Sequence, residues 1–216
     1  MFASLQRLVA ALHQRRSAHL AIVVLRMLLG FAFLPAGIKK VLRQPFTDPS
    51  NHGPFHDFLH AFYATGFFYQ FVGAVQLLAA LLLLSQRFAF AGALIALPVV
   101  TAITVFTWST AVPFTASVAT LMTIGMLWVL VWELERWPVR KQQAVPPAPP
   151  LVDLRYWQWC GVVIVATYGG LCAVTGGVYR PRPGGPHDAA FWIMNGLPLL
   201  PIGTWLLERR RPPRSA

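Results

Sequence analysis

Long apolar blocks separated by short charged or proline-rich stretches run through the whole chain. The hydrocarbon core of a bilayer is about 30 Å thick, and about 20 helical residues are needed to cross it. Six blocks come close to that length, and they lie at residues 20–38, 62–84, 88–108, 111–132, 157–178 and 189–207. Backbone amides in lipid must bond within their own segment, and the alternating pattern of a β-barrel is absent, so each block is predicted to be a helix.

This pattern predicts an all-α, polytopic membrane helix bundle. Composition agrees, because 56% of the 216 residues are hydrophobic and 12% are charged, whereas soluble domains average about 25% charged residues. The run VRKQQAVPPAPP at 139–150 carries four prolines in five positions and is predicted to be an extended linker. It divides the bundle into a four-helix core and two additional C-terminal transmembrane helices.

Five segments follow from this division. They are an N-terminal cytoplasmic segment at 1–19, the four-helix core at 20–135, a proline-rich basic linker at 136–155, a two-helix appendage at 156–207 and a basic tail at 208–216.

The formal net charge of +11 is distributed by topology rather than gathered into one patch. The N-terminal segment, the loop at Arg87, the linker and the tail together carry 12 Lys and Arg residues, whereas the loops after the first and fifth blocks carry five. Positive residues are retained on the inner side of a membrane. Both termini are therefore predicted to be cytoplasmic in an inner-membrane, multi-pass protein, and nucleic acid is not an expected partner.

One face of the first span combines charge with small residues. Arg26, Gly30, Gly37 and Lys40 follow at steps of four, seven and three, which places all four on the same side of a helix. Small residues let a second helix approach closely. A charge inside a bilayer is costly and usually faces the interior of the bundle, so Arg26 is a candidate functional residue.

The second span offers a partner for that face. Gln76 is predicted to lie level with Arg26, and pairing with its amide oxygen would lower the cost of burial without neutralising the guanidinium charge. An electron-rich guest such as a carbonyl or an anion would then be favoured. Arg26, Gln76, Lys40 and Gln70 are the ligand-binding candidates, and Gly73 joins the glycines expected at the helix contact.

The Arg, Gly, Gly, Lys pattern of the first span, the polar residue in the second and the run LLLLSQRFAFAGALIAL resemble the DoxX family of small bacterial membrane proteins. The resemblance covers roughly residues 20–132. It implies a four-helix membrane bundle that is sometimes associated with oxidoreductase or quinone-linked systems. Members commonly carry Glu where Gln76 stands here, and the last two helices are not part of the minimal family unit. Loss of that acid removes a proton-carrying group and weakens the case for proton-coupled redox chemistry.

Three histidines recur every four residues in NHGPFHDFLHAFY, at His52, His56 and His60. Histidines one turn apart can bind a divalent metal. The alternative is that they form the wet side of an interfacial helix that leads into the second span. Pro54 suits a first helical turn, which would leave His52 outside the helix.

No nucleotide fingerprint, CxxC pair or nucleophile elbow occurs, so an enzymatic role extends at most to a membrane subunit of an oxidoreductase system. The leading hypothesis is a DoxX-like membrane protein that binds a small lipophilic ligand, with quinone as the candidate cofactor, and serves a redox or stress-related complex. Its expected partners are the lipid bilayer and either a redox protein or further copies of the chain. The alternatives are a non-catalytic scaffold or assembly factor and, third, a small transporter.

Overall fold

A computed structural model describes residues 9–134, 151–178 and 189–210 of the chain. Most of the predicted linker lies outside the described residues, as do the outer loop at 179–188, residues 1–8 of the predicted N-terminal segment and residues 211–216 of the predicted basic tail. Within the described ranges the helices are joined by turns and short loops, and no strand occurs.

Eight α-helices lie wholly within these ranges, and we number them in chain order. They are α1 (Arg16–Val41), α2 (Pro54–Ala64), α3 (Phe67–Leu84), α4 (Ala89–Ser109), α5 (Pro113–Leu134), α6 (Leu154–Val174), α7 (Ala189–Gly196) and α8 (Leu200–Arg209), with a 3₁₀ turn at Leu197–Leu199 between the last two.

Five of the helices, α1, α3, α4, α5 and α6, are long and apolar enough to cross a membrane. Large apolar side chains on their outer faces are exposed, as in Phe67 of α3, Phe114 and Leu121 of α5 and Val174 of α6. A soluble protein rarely leaves apolar surface on this scale in contact with water. The chain is therefore an all-α, multi-pass membrane helix bundle, as the sequence predicts.

The second predicted block differs from the structure at its start. The helix is interrupted between α2 and α3 at Thr65 and Gly66, where the φ of Gly66 is 60°, a value that favours glycine. Residues 62–64 therefore belong to α2, a separate short helix that begins at Pro54. Pro54 occupies a first-turn position, where its missing N–H costs no hydrogen bond.

The sixth predicted block is not one of the five spanning helices. Residues 189–209 stay helical throughout, but a 3₁₀ turn divides them into pieces of eight, three and ten residues. Pro198 and Pro201 lie at this division, and proline interrupts the α-helical hydrogen-bond ladder. A sixth crossing stays a prediction.

The helix α6 packs into the same apolar core as the four preceding spans. Trp157, Ile164 and Tyr168 are fully buried in that core, and the Tyr168 ring meets Phe31 of α1 edge-on, with 6.1 Å between ring centres. A Cβ atom at Gly161 would lie 2.7 Å from the Leu84 carbonyl oxygen, so α6 crosses the end of α3 at backbone distance. The described part of the appendage segment is thus held by direct packing on α1 and α3.

The bundle has two chemically different ends. At the arginine end, the start of α1 meets the ends of α3, α5 and α8. Arg26 contacts Gln86 and Glu133, and Arg16 contacts Glu208. At the lysine end, the segment after α1 meets the start of α3 and the end of α6. The side chain and backbone of Gln44 make the bonds there, to Val178 and Tyr69.

Candidate functional site

The lysine end holds a cluster of two cations and two aromatic rings, which we call the lysine cluster (Lys39, Lys40, Phe46, Tyr69 and Gln76). Lys40 donates to Gln76 Oε1 at 2.9 Å. Its Nζ lies 4.2 Å from the centre of the Phe46 ring and 5.9 Å from that of Tyr69, while Lys39 Nζ lies 4.7 Å from the Phe46 centre. The two ammonium groups therefore share one aromatic ring.

The helix register explains this arrangement. Lys39 and Lys40 end α1, and the chain then turns back through Arg43, whose φ is 53°, so that Phe46 returns over the lysines. Tyr69 and Gln76 are seven residues apart on α3, which is two turns of helix, and both are buried. Local helix geometry thus presents both side chains to the end of α1.

No carboxylate pairs with either lysine among the residues that the structure describes. The nearest acid along the chain, Asp48, is exposed and accepts hydrogen bonds from the Oγ and the N–H of Ser50 at 2.6 Å and 3.0 Å. These bonds hold the pKa of the Asp48 carboxyl below its ordinary value, so it stays ionised in the loop without serving as a counter-ion. Lys39 and Lys40 expose only 5% and 7% of their surface, and Lys39 Nζ has no hydrogen-bond partner in the part of the chain that the structure describes.

A cavity of about 250 Å³ lies next to the lysine cluster. It is lined by Arg43, Tyr63, Ala64, Gly66 and Tyr69. Tyr69 belongs to both, and its ring meets that of Tyr63 edge-on at 5.4 Å. Ligand sites begin at about 300 Å³, so this cavity is close to the size of a small head group.

The arginine end holds the second buried charge. Arg26 is 1% exposed, and it forms an ion pair with Glu133 of α5 and a hydrogen bond of 3.5 Å with Gln86 Oε1. A cavity of about 20 Å³ beside Arg26 is also lined by His19 and Trp132. Such a volume holds one water molecule and excludes an organic ligand.

The predicted pairing of Arg26 with Gln76 is wrong. Gln76 accepts a hydrogen bond from Lys40, whereas Arg26 pairs with Glu133. Gln76 and Arg26 do not meet because they lie toward opposite ends of the bundle. Gln70 Nε2 donates to the carbonyl of Val41 at 3.1 Å and so satisfies the end of α1. The structure thus brings two of the ligand-binding candidates, Lys40 and Gln76, into direct contact and places Arg26 in a separate cluster.

The three predicted packing glycines lie at the crossing of α1 and α3. A Cβ atom at Gly37 would lie 3.0 Å from the Gly73 carbonyl oxygen, and one at Gly73 would lie 2.5 Å from Lys40 Cβ. One at Gly30 would lie 2.8 Å from Leu84 Cγ. These close approaches bring Lys40 and Gln76 within hydrogen-bond distance.

The two histidines of α2, His56 and His60, form hydrogen bonds with the preceding loop, and the three histidines do not form a metal site. His56 Nδ1 and Thr47 Oγ1 are 2.6 Å apart, and His60 Nε2 donates to the Asn51 carbonyl at 3.2 Å. His52 is exposed and precedes the helix. No group of three or more potential metal ligands comes together in the ranges that the structure describes.

Sequence reasoning missed Glu133, Gln86, Lys39 and Phe46. Glu133 lies one residue beyond the predicted fourth block but inside the predicted four-helix core at 20–135, and no partner was predicted for it. It is also the only acid inside the five spanning helices, and this scarcity is the signal that could have paired it with Arg26. Phe46 gives no such signal, since its position depends on the turn at Arg43.

Comparisons of the chain with family models, with curated proteins and with solved structures find no match.

Proposed function

We propose that the chain is a DoxX-like integral membrane protein that binds a small lipophilic ligand at the lysine end, within a redox or stress-related membrane complex. The head group of this ligand is electron-rich or anionic and lies against the lysine cluster. A quinone meets this description, because its carbonyl oxygens accept hydrogen bonds and gain negative charge on reduction.

The observation that carries the proposal is the pair of buried ammonium groups for which residues 9–134, 151–178 and 189–210 supply no counter-ion. A buried charge is costly unless it is paired and hydrogen-bonded. Lys40 donates to the Gln76 amide oxygen at 2.9 Å and to the Ala36 carbonyl at 3.4 Å, and Lys39 Nζ has no hydrogen-bond partner among the described residues. An acceptor bound between them would give Lys39 its first hydrogen bond and Lys40 a further one, and hydrogen bonds from charged donors are stronger than those between neutral groups.

The adjacent cavity supplies room and a fitting surface. The rings of Tyr63 and Tyr69 provide aromatic faces for a planar head group, and Arg43 adds a third positive charge. Phe67 and Phe68, at the start of α3, are exposed beside it. A lipophilic tail could therefore extend over this apolar surface into lipid while the head group contacts the cations.

The resemblance to the DoxX family suggests why an amide, rather than an acid, stands at position 76. A relative with Glu at this position would give Lys40 a carboxylate partner, whereas Gln76 gives it a neutral amide. Under this reading the substitution leaves positive charge available to the ligand.

Substitution of Lys39 separates ligand binding from folding. Lys39→Met keeps the apolar stem and removes a buried charge that has no hydrogen-bond partner, so we expect the unliganded protein to melt at a higher temperature. The same variant should bind a short-tailed benzoquinone about tenfold or more weakly, because a hydrogen bond to a charged group contributes about 1.5–3 kcal/mol. Isothermal titration on the protein in detergent measures the affinity.

Arg87→Met is the matched control, since Arg87 is an exposed cation at the other end of the bundle. Its affinity should equal that of the wild type. Unchanged quinone affinity in Lys39→Met, or no quinone binding by the wild type, would overturn the proposal.

A further inference from the structure

We propose a second ligand site, for the phosphate head group of an anionic phospholipid, at the arginine end between α1 and α8. It is independent of the proposed quinone site, which lies at the opposite end of the bundle. A cavity of about 320 Å³ is present there, lined by Arg16, Ser17, Leu20, Trp205 and Arg209.

The walls of this cavity match the parts of a phospholipid. Arg16 and Arg209 supply two guanidinium groups, which recognise phosphate through paired N–H donors, and Ser17 adds a hydroxyl. Leu20, one turn further into α1, gives an apolar wall on the side that faces the hydrocarbon core. Trp205 is the aromatic residue expected at the depth of lipid head groups.

Neighbouring contacts hold both arginines in place. The Arg209 guanidinium lies 5.3 Å from the Trp205 ring centre, and Arg16 bonds Glu208, whose carboxylate also accepts from the Asp153 N–H at 3.1 Å. Glu208 carries one negative charge, which Arg16 offsets. Arg209 and the exposed Arg210 leave the site positive. The positive end of the α1 dipole adds to this potential.

The predicted topology places this end at the leaflet that contains anionic lipid. The charge bias along the sequence assigns the arginine end to the cytoplasmic side, where anionic lipids give the membrane surface its negative potential. Basic pockets between transmembrane helices on that side bind anionic head groups. The occupant is therefore a membrane lipid, which reaches the cavity from the same leaflet.

Native mass spectrometry of the full chain in a neutral detergent tests this site, with phosphatidylglycerol and phosphatidylcholine as probes. We expect the protein to retain phosphatidylglycerol in preference to phosphatidylcholine. Arg209→Gln should lower the affinity for phosphatidylglycerol about fivefold, because one Arg near an anionic lipid surface contributes about 1 kcal/mol. Arg209 is exposed at a helix end, so its replacement leaves the core intact, and an unchanged melting temperature checks this.

Arg87→Gln is the matched control. Its guanidinium also lies over an aromatic ring, 5.5 Å from the centre of Phe88, and it is exposed at the same end of the bundle but does not line the cavity between α1 and α8. This variant should retain wild-type affinity. Equal retention of the two lipids, an equal loss of affinity in both variants, or equally strong binding of glycerol phosphate without acyl chains would each overturn the proposal.

Discussion

At the scale of single residues, two cations on one face of α1 are held in different ways. Arg26 has a carboxylate partner in Glu133, whereas Lys40 has the neutral amide of Gln76 and the rings of Phe46 and Tyr69. A buried pair stabilises a fold only if both members are present, because either one alone is an uncompensated charge. The arginine site is therefore structural in character, whereas the lysine cluster is where we propose that a ligand binds.

The ion pair between Arg26 and Glu133 can be tested with a double-mutant cycle. Arg26→Met alone and Glu133→Gln alone should each destabilise the bundle, by about 3–5 kcal/mol for loss of one partner of a buried pair. The double variant should recover part of this loss, since no unpaired charge remains. Free energies of unfolding in mixed detergent and denaturant measure the coupling, and simple additivity of the two losses would contradict it.

At the scale of elements, the contact between α1 and α3 positions the lysine cluster. The hydrophobic effect does not drive helices together within lipid, so close backbone approach and van der Waals packing stabilise this contact. Gly37 and Gly73 allow that approach. The short helix α2 is attached differently, through Phe55 and Phe58, whose rings lie 5.4 Å and 4.3 Å from that of Phe106 at the end of α4.

The glycine contact predicts a strong dependence on side-chain size. In Gly73→Ala the new methyl group would meet Lys40 Cβ at 2.5 Å and the Gly37 carbonyl oxygen at 2.9 Å, so the helices must separate. Overpacking of this kind costs about 1–3 kcal/mol, which should appear as a lower melting temperature. Gly169→Ala in α6 is the control, because no atom lies within 4 Å of the added methyl. Equal melting temperatures for the two variants would show that α1 and α3 do not pack as described.

At the scale of the whole molecule, the bundle separates its charges by end. The starts of α1 and α6 and the ends of α3, α5 and α8 meet at the arginine end, whereas the ends of α1 and α6 and the start of α3 meet at the lysine end. Alternating helix directions produce this arrangement, which agrees with the sequence-based assignment of which loops share a side. Which end faces the cytoplasm stays a prediction from the charge bias.

Single cysteines introduced into a background without Cys160 and Cys172 test this orientation. Both native cysteines are free and buried in α6, and alanine replaces each of them with another small apolar side chain. Ser50→Cys in the loop after α1 should react with a membrane-impermeant maleimide added outside intact cells. Arg87→Cys should react only after the membrane is opened, because retention of positive charge places its loop inside. Labelling of both positions from the same side would contradict the arrangement of α1 and α3.

Much of the architecture could be predicted from the sequence. Helical spans are the direct consequence of apolar blocks that must satisfy their backbone hydrogen bonds in lipid, and the boundaries of α1, α4 and α5 lie within a few residues of the predicted ones. Arg26, Gly30, Gly37 and Lys40 share one face because helical periodicity is local. Their common face needs no knowledge of the other helices.

Tertiary structure alone decided which side chains meet. The pairing of Arg26 with Glu133, and of Lys40 with Gln76, depends on how far each helix is shifted along its neighbours, and a shift of one turn moves a side chain by about 5.4 Å. Depths counted from block boundaries carry errors of that size. The position of Phe46 over two lysines likewise depends on a turn at Arg43, which apolar periodicity does not encode. The sequence thus determined the helices and their faces, whereas the axial shifts and turns between them determined the two clusters.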